Sequence, residues 1–119
     1  VKENILIDKS IAFAARIVKL YDFLIKNKRG LAIANQVIRS GTSIGANINE
    51  AIYGNSKADF ISKLHISLKE TGESIYWLTL LKRTNMIAYD FDKLLSLVEE
   101  IKRMLVASLN TAKSTQENK

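Results

Sequence analysis

Arg39-Ser40-Gly41-Thr42-Ser43-Ile44-Gly45-Ala46-Asn47-Ile48-Asn49-Glu50-Ala51 has small and polar residues where a helix core would have leucine. At helical spacing, Arg39, Ser43, Asn47, Glu50 and Gly54 fall in one column, each three or four residues from the next. Ile44, Ile48 and Ile52 run beside it. A polar stripe next to an apolar one, on a helix thinned by Gly41 and Gly45, points to close helix approach with hydrogen bonding across the contact. It does not point to a catalyst.

Working outward, period 3.6 recurs four times and period two is hard to find. Proline is absent from the 119 residues. The chain reads as all-α and one domain, with helices over about 8–28, 31–53, 57–84 and 91–109. These compose a domain over 1–109, followed by a polar, aperiodic tail over 110–119 expected to be disordered. Short connections between such helices give an antiparallel up-down bundle. Asp8 or Ser10 would cap helix 1, and Gly30 would supply its left-handed stop. Gly54-Asn55-Ser56 is a turn signal. Ser56 with Asp59 resembles a capping box opening helix 3, and Asn85 closes that helix.

Helix 1 is apolar on two sides. Ile11, Ala14, Ala15, Val18, Tyr21 and Ile25 form one stripe, and Phe13, Ile17, Leu20 and Leu24 an adjoining one. Together they cover roughly 220° of the circumference, more than a helix covering a single core needs. The excess predicts a second contact, most simply with another copy of the chain. Helix 3 reads similarly. Its core stripe is Phe60, Ile61, Leu64, Leu68, Ile75 and Leu78, with Thr71 and Gly72 between, and a second line comprises Ile66, Glu73, Trp77 and Leu80. Helix 4 carries a clean stripe of Phe91, Leu94, Leu95, Val98, Ile101, Leu105 and Leu109.

Composition excludes several classes. With no cysteine, disulfides and thiolate metal sites are ruled out. No run reaches the length of a membrane span, and the start, with Glu3, is a poor signal peptide. The expected setting is cytoplasmic, with no membrane partner. The net charge of +6 is unevenly placed. Residues 8–29 hold Lys9, Arg16, Lys19, Lys26, Lys28 and Arg29 against Asp8 and Asp22. Residues 90–109 hold three basic side chains against four acidic ones. A further excess of five basic over three acidic side chains lies in residues 57–83. A basic surface can meet a phosphate backbone, although from charge alone ordinary solubility is the favoured account of a charge of this size.

Candidate catalytic groups are sparse. His65 is the only histidine, and at the edge of the helix 3 stripe it reads as a core or boundary residue. Glu50, Glu70 and Glu73 could converge between helices 2 and 3. A carboxylate-bridged metal bundle needs Glu-x-x-His motifs, whereas Glu70-Thr71-Gly72-Glu73 has Glu in the histidine position. These carboxylates read as acceptors for Arg39, Ser43, Asn47 or Lys69 in a paired polar network. Ser43-Ile44-Gly45 lacks the strand and the Gly-Lys-Ser/Thr of a phosphate loop. Tyr53, Tyr76 and Trp77 read as core or interface anchors rather than base-stacking platforms. The expectation is therefore no metal, no cofactor and no enzymatic activity.

The run Gln36 to Ala51 resembles the signature of the four-helix-bundle proteins named after the 23S rRNA intervening sequence. So do Ser56 to Leu64, Leu68-Lys69-Glu70-Thr71-Gly72-Glu73, Tyr76-Trp77-Leu78 and, in helix 1, Phe13 to Tyr21. The resemblance covers about residues 8–109. Its helix 2 motif is specific and its helix 4 match generic, and some members have proline where Gly45 stands. It implies a short antiparallel bundle assembling into a ring, typically a homopentamer. It also implies RNA or DNA binding, since such proteins are encoded within bacterial ribosomal-RNA insertions and a related bundle assists a retroelement reverse transcriptase. On this reading Lys9, Arg16, Lys19, Lys26, Lys28 and Arg29 are the candidate phosphate contacts. Arg39, Ser43, Asn47, Glu50, Glu70 and Glu73 are structural. The alternative is a scaffold or accessory subunit that binds a protein partner and has no nucleic-acid role.

Overall fold

Small side chains on the second helix let it lie close between the first and the third. The computed structural model describes the backbone of residues 2–117 and the side chains of 5–115. It contains four helices, α1 (Lys2–Asn27), α2 (Leu31–Ile52), α3 (Lys57–Thr84) and α4 (Phe91–Glu117), and no strand among the described residues. They form a bundle of 53 × 22 × 21 Å in which α1 touches α2 and α4, and α3 touches α2 and α4. The backbones of the diagonal pairs stay farther apart among the described residues.

The core takes one stripe from each helix. α1 buries Leu6, Phe13, Ile17, Leu20 and Leu24, and α4 buries Phe91, Leu94, Val98, Ile101, Leu105 and Leu109. α2 buries Ala34, Val37, Gly41, Ile44, Ile48 and Ala51, alternately three and four residues apart. α3 follows the same spacing with Leu64, Ser67, Thr71, Ser74, Leu78 and Leu81. The expected α3 stripe is thus rotated. Leu68 and Ile75 are only partly buried, His65 is exposed rather than at the core boundary, and three hydroxyl residues occupy the centre. The reason is room. A β-carbon on Gly41 would stand 2.9 Å from Ile17 Cγ1, and one on Gly45 would stand 2.9 Å from Ser10 Oγ. On its α3 side, α2 is near enough for Ser67 Oγ to reach Ile44 O at 2.8 Å and Ser74 Oγ to reach Ser40 Oγ at 3.1 Å, a seam filled by hydroxyls.

Three helix ends differ from the sequence expectation. α1 begins at Lys2, before the expected start near residue 8, because Leu6 extends the buried stripe by two turns. Ser10 is consequently a buried mid-helix residue donating to Ile7 O at 2.7 Å, not a cap. At the other end of α1 the left-handed stop is Lys28, with φ 51. Arg29 N donates to Leu24 O and Lys28 N to Ile25 O, both at 3.2 Å, the paired bonds of a Schellman motif. Gly30, also left-handed at φ 57, instead precedes α2 and accepts from Ala34 N at 2.8 Å. Finally, α4 runs through the segment expected to be a disordered tail as far as Glu117. Ala112 explains the extension: it is buried beside the α2–α3 turn, which lines a groove with Ser108 and Thr111. Residues 118 and 119 lie outside the described residues.

The cap of α3 is a side-chain one, with Ser56 Oγ accepting from Asp59 N at 3.0 Å. α3 ends on left-handed Asn85, φ 54, and α4 opens with Asp90 Oδ1 accepting from Asp92 N at 3.1 Å.

Two substitutions test these backbone arguments. Lys28→Gly relieves a left-handed residue bearing a β-carbon and should stabilise the fold by about 0.5–1 kcal/mol in urea unfolding; no gain would show that Lys28 contributes compensating contacts. Gly41→Ala introduces a better helix former but crowds the stiff, β-branched Ile17. It should nonetheless destabilise by about 1–3 kcal/mol, and a rise in melting temperature would overturn the close-approach account.

Candidate functional site

Two groups of residues stand out from the ordinary bundle surface: a polar seam between α2 and α3, and a basic face on α1. The seam is built from the inside outward. Ser67 Oγ donates to Ile44 O at 2.8 Å, and Ser74 Oγ donates to Ser40 Oγ at 3.1 Å, which in turn donates to Gln36 O at 2.9 Å. Thr71 Oγ1 donates to Leu68 O at 2.6 Å. Every buried side-chain nitrogen or oxygen among the described residues has a partner. Paired this way, the hydroxyls avoid the penalty of a buried unmatched group.

At the rim of the seam, Arg39 reaches from α2 to two carboxylates of α3. Its Nη2 donates to Glu73 Oε2 at 2.6 Å and its Nη1 to Glu70 Oε2 at 3.2 Å. Glu70 is buried, whereas Arg39 is about half exposed, with 49% of its side-chain surface accessible. Burial pushes the Glu70 carboxyl above its ordinary pKa, and the neighbouring Glu73 charge adds to the rise. The hydrogen bond from Arg39 pulls Glu73 below its ordinary value. The guanidinium therefore occupies the space between the two carboxylates. No group of three or more metal-ligating side chains is assembled among the described residues.

The rest of the polar column behaves differently from the network that the sequence suggests. Ser43 Oγ donates to Arg39 O at 2.6 Å and Asn47 Nδ2 to Ser43 O at 2.8 Å, so both bond back onto their own helix. Glu50 leaves the seam and pairs with Lys63 at 3.3 Å. Ser and Asn four residues beyond a carbonyl readily satisfy it locally, which takes Ser43 and Asn47 out of the cross-helix reading of the column, whereas Arg39 and Glu50 do pair with side chains of α3. The seam hydroxyls Ser40, Ser67, Thr71 and Ser74 are absent from that reading. For Ser67, Thr71 and Ser74 the signal is the alternating three- and four-residue spacing between Leu64 and Leu81, which becomes visible only once hydroxyls are admitted as core residues.

On α1, the six basic candidates divide into two sets. Lys9 pairs with Glu100 at 3.1 Å and Lys26 with Asp22 at 2.9 Å. Arg16, Lys19, Lys28 and Arg29 are exposed and form no ion pair among the described residues. Lys93 of α4, outside the six, joins Arg16 in lining a groove between α1 and α4 that also includes Asp92, Ser96 and Leu97. Of the aromatics singled out in the sequence, Tyr53 is 78% exposed, and Tyr76 is 60% exposed with its ring edge-on to Trp77 at 4.9 Å. Trp77 is partly buried against the core.

Four helices, a buried hydroxyl seam capped by an Arg–Glu–Glu cluster and a basic flank define a small all-α bundle. The chain belongs to the 23S rRNA-intervening sequence protein family, whose profile matches residues 2–107. It is also similar to a crystal structure from Bacteroides thetaiotaomicron, described as a protein of unknown function from the S23 ribosomal protein family. Identity to that structure is 46% and the TM-score 0.87, over 92% of this chain and 99% of that one. Comparison with curated proteins gives no match. No helix among the described residues is long and apolar enough to cross a membrane.

The carboxylate pair has a pH signature. Glu70 titrates above its unfolded value, so the folded state takes up that proton first. Acidification through the window just above the ordinary glutamate range should raise stability. Glu73 titrates below its unfolded value, and its contribution is lost at lower pH. Glu70→Gln should abolish the first, stabilising limb in a pH series of chemical unfolding curves and leave the second. An unchanged first limb would show that Glu70 is not its source.

Proposed function

We propose that this protein is a non-enzymatic, ring-forming helical bundle that binds RNA through the basic face of α1. The observation that carries the reading is the placement of charge. Arg16, Lys19, Lys28 and Arg29 are exposed on α1 and its following turn without internal ion pairs among the described residues. Exposed cations without ion pairs also occur on α3 and α4 among the described residues; what sets residues 8–29 apart is a local excess of six basic over two acidic side chains, which can form the electrostatic footprint of a phosphate-binding surface. The family name, which refers to ribosomal RNA, agrees with it. The setting proposed is cytoplasmic, with no cofactor.

The bundle proposed is up-down and antiparallel. Pairings between α2 and α3 favour this arrangement, because Glu50 meets Lys63, Ile44 meets Ser67 and Ser40 meets Ser74. Self-assembly is supported by apolar surface that the single chain leaves open. Ile11 is 59%, Val18 49% and Ile25 39% exposed in a stripe along α1. On the diagonal helix α3, Gly72 has nothing within 4 Å of where a β-carbon would stand and lies in an open groove with Ile75, Tyr76 and Leu80. A bare glycine in mid-helix costs about 1 kcal/mol relative to alanine, and a close neighbour from another subunit would offset that. Two different apolar faces on opposite helices suit a head-to-tail contact, which closes into a ring. Five subunits is the number the family resemblance implies.

The groove at Gly72 and Tyr76 also suits a protein partner, and a scaffold with no RNA role is the second reading. One experiment separates them. The light-scattering mass of nuclease-treated protein is measured with and without structured RNA over a salt series. The expected result is a multiple of the 13.4 kDa subunit that gains mass with RNA at low salt. Four phosphate contacts per subunit give a slope of log K against log salt of about −3 for single strands, and Arg16→Gln with Lys19→Gln should flatten it by about 1.4. An assembly that ignores RNA at every salt would leave the scaffold reading, and a monomer would overturn the ring.

A further inference from the structure

Aromatic residues from α1 and from the α3–α4 connection meet beside this basic face. The ring centroids of Phe23 and Tyr89 are 6.1 Å apart, and those of Tyr89 and Phe91 are 4.8 Å apart. Phe91 is buried and anchors the run, whereas Phe23 and Tyr89 are 38% and 37% exposed. Phe23 and the central Tyr89, tilted 41° to each other, thus form a supported shelf partly open to solvent. Arg29 and Asn27 line a groove on one side of it together with Phe23 and Met86. Arg16 stands about two helical turns before Phe23 on α1; burial raises the pKa of the Tyr89 phenol, the Arg16 charge lowers it and the Asp90 charge raises it. Arg16 in turn shares its groove with Lys93. Acidic groups are also present: Asp90, whose charge is felt at the Tyr89 phenol, accepts from Asp92 N, and Asp92 pairs with Lys82 at 2.6 Å, so the basic side chains outnumber the unpaired carboxylates beside the rings.

We infer that the Phe23–Tyr89 shelf stacks an unpaired base of single-stranded RNA whose flanking phosphates lie on Arg16, Lys93 and Arg29. This inference rests on the RNA-binding reading and narrows it to single strands and to one place on the bundle. Base faces stack on aromatic rings regardless of sequence, and cations beside the rings track the backbone. The apolar face of a second copy fits this shelf poorly, because covering it would strip water from Arg16 and Arg29 without giving them partners. Sequence pattern alone directs attention to Tyr53, Tyr76 and Trp77, none of which lies on α1 or in the α3–α4 connection. Phe23 and Tyr89 come together only through the fold, since 66 positions separate them in the chain.

The test is fluorescence anisotropy with labelled oligoadenylate, the same backbone made abasic, and a blunt duplex of equal length. Wild-type protein should bind oligoadenylate about 10-fold or more tightly than the abasic strand. The Phe23→Leu/Tyr89→Leu variant, which keeps apolar bulk over Phe91, should lose that margin. Its salt slope and its duplex affinity should stay unchanged. Equal wild-type affinity for the oligoadenylate and abasic strands would overturn the stacking site while leaving phosphate binding in place. Absence of wild-type binding to all three nucleic acids at low salt would overturn the RNA reading and this inference with it. A variant that keeps the margin would place stacking on other rings and overturn this site, and the single Tyr89→Leu variant, at a position 37% exposed, carries the test if the double variant fails to fold.

Discussion

Ile17 and Ser10 of α1 rest against the backbone of α2 at Gly41 and Gly45, where a β-carbon would collide with them. The rest of the arrangement depends on that approach. It seats α2 deep in the bundle, and the opposite flank of α2 then meets α3 through Ser40, Ser67 and Ser74. Larger apolar residues would hold the helices apart; the hydroxyls instead replace lost packing area with short bonds to carbonyls and to each other. Arg39 emerges at the edge of the same seam, so its meeting with Glu70 and Glu73 follows from the depth at which α2 sits. With Arg39 half exposed, the ion pairs themselves contribute little, on the order of 1 kcal/mol or less.

How much of this is legible in the sequence depends on the range of the interaction. The buried stripes of α1 and α4 are legible, because Phe13, Ile17, Leu20 and Leu24, and Leu94 to Leu109, are large and regularly spaced. The close approach at Gly41 and Gly45 is legible as a spacing. The α3 face is not. Leu68 and Ile75 outweigh Ser67, Thr71 and Ser74 on any hydrophobic scale, and only the nearness of α2 makes a hydroxyl the better core residue. The same applies to Ser10, which resembles a cap until Gly45 is seen to need a small neighbour. Lys28 in place of Gly30 as the left-handed stop is a local preference overridden by geometry, since α1 must end where Leu24 is buried and α2 must begin at Leu31. The extension of α4 past Leu109 turns on Ala112 alone, too weak a signal against a polar background.

The candidate surface divides in the same way. Basic residues on α1 are visible from composition, but which of them are unoccupied is a property of the neighbours: Glu100 engages Lys9 from a different helix, whereas Arg16 has no such partner among the described residues. The contributions of Lys93 and Tyr89 come from α4 and the connection before it, and they reach the face only through folding. Membership in the 23S rRNA-intervening sequence protein family fixes the architecture. The distribution of free charge and exposed rings then decides where on that architecture a ligand would be met.

The α2–α3 seam inverts the usual mutational economy of a protein interior. In most cores the costly substitutions are deletions, because a lost leucine or phenylalanine leaves a void. A glycine or serine has almost nothing to delete, and nearly every single-base change at these positions adds volume. Tolerance along α2 should therefore follow size rather than polarity, with threonine or valine faring worse than alanine at Ser40 and Ser74. Sequence drift would keep these unremarkable small residues fixed while the leucines around them exchange freely for isoleucine and methionine.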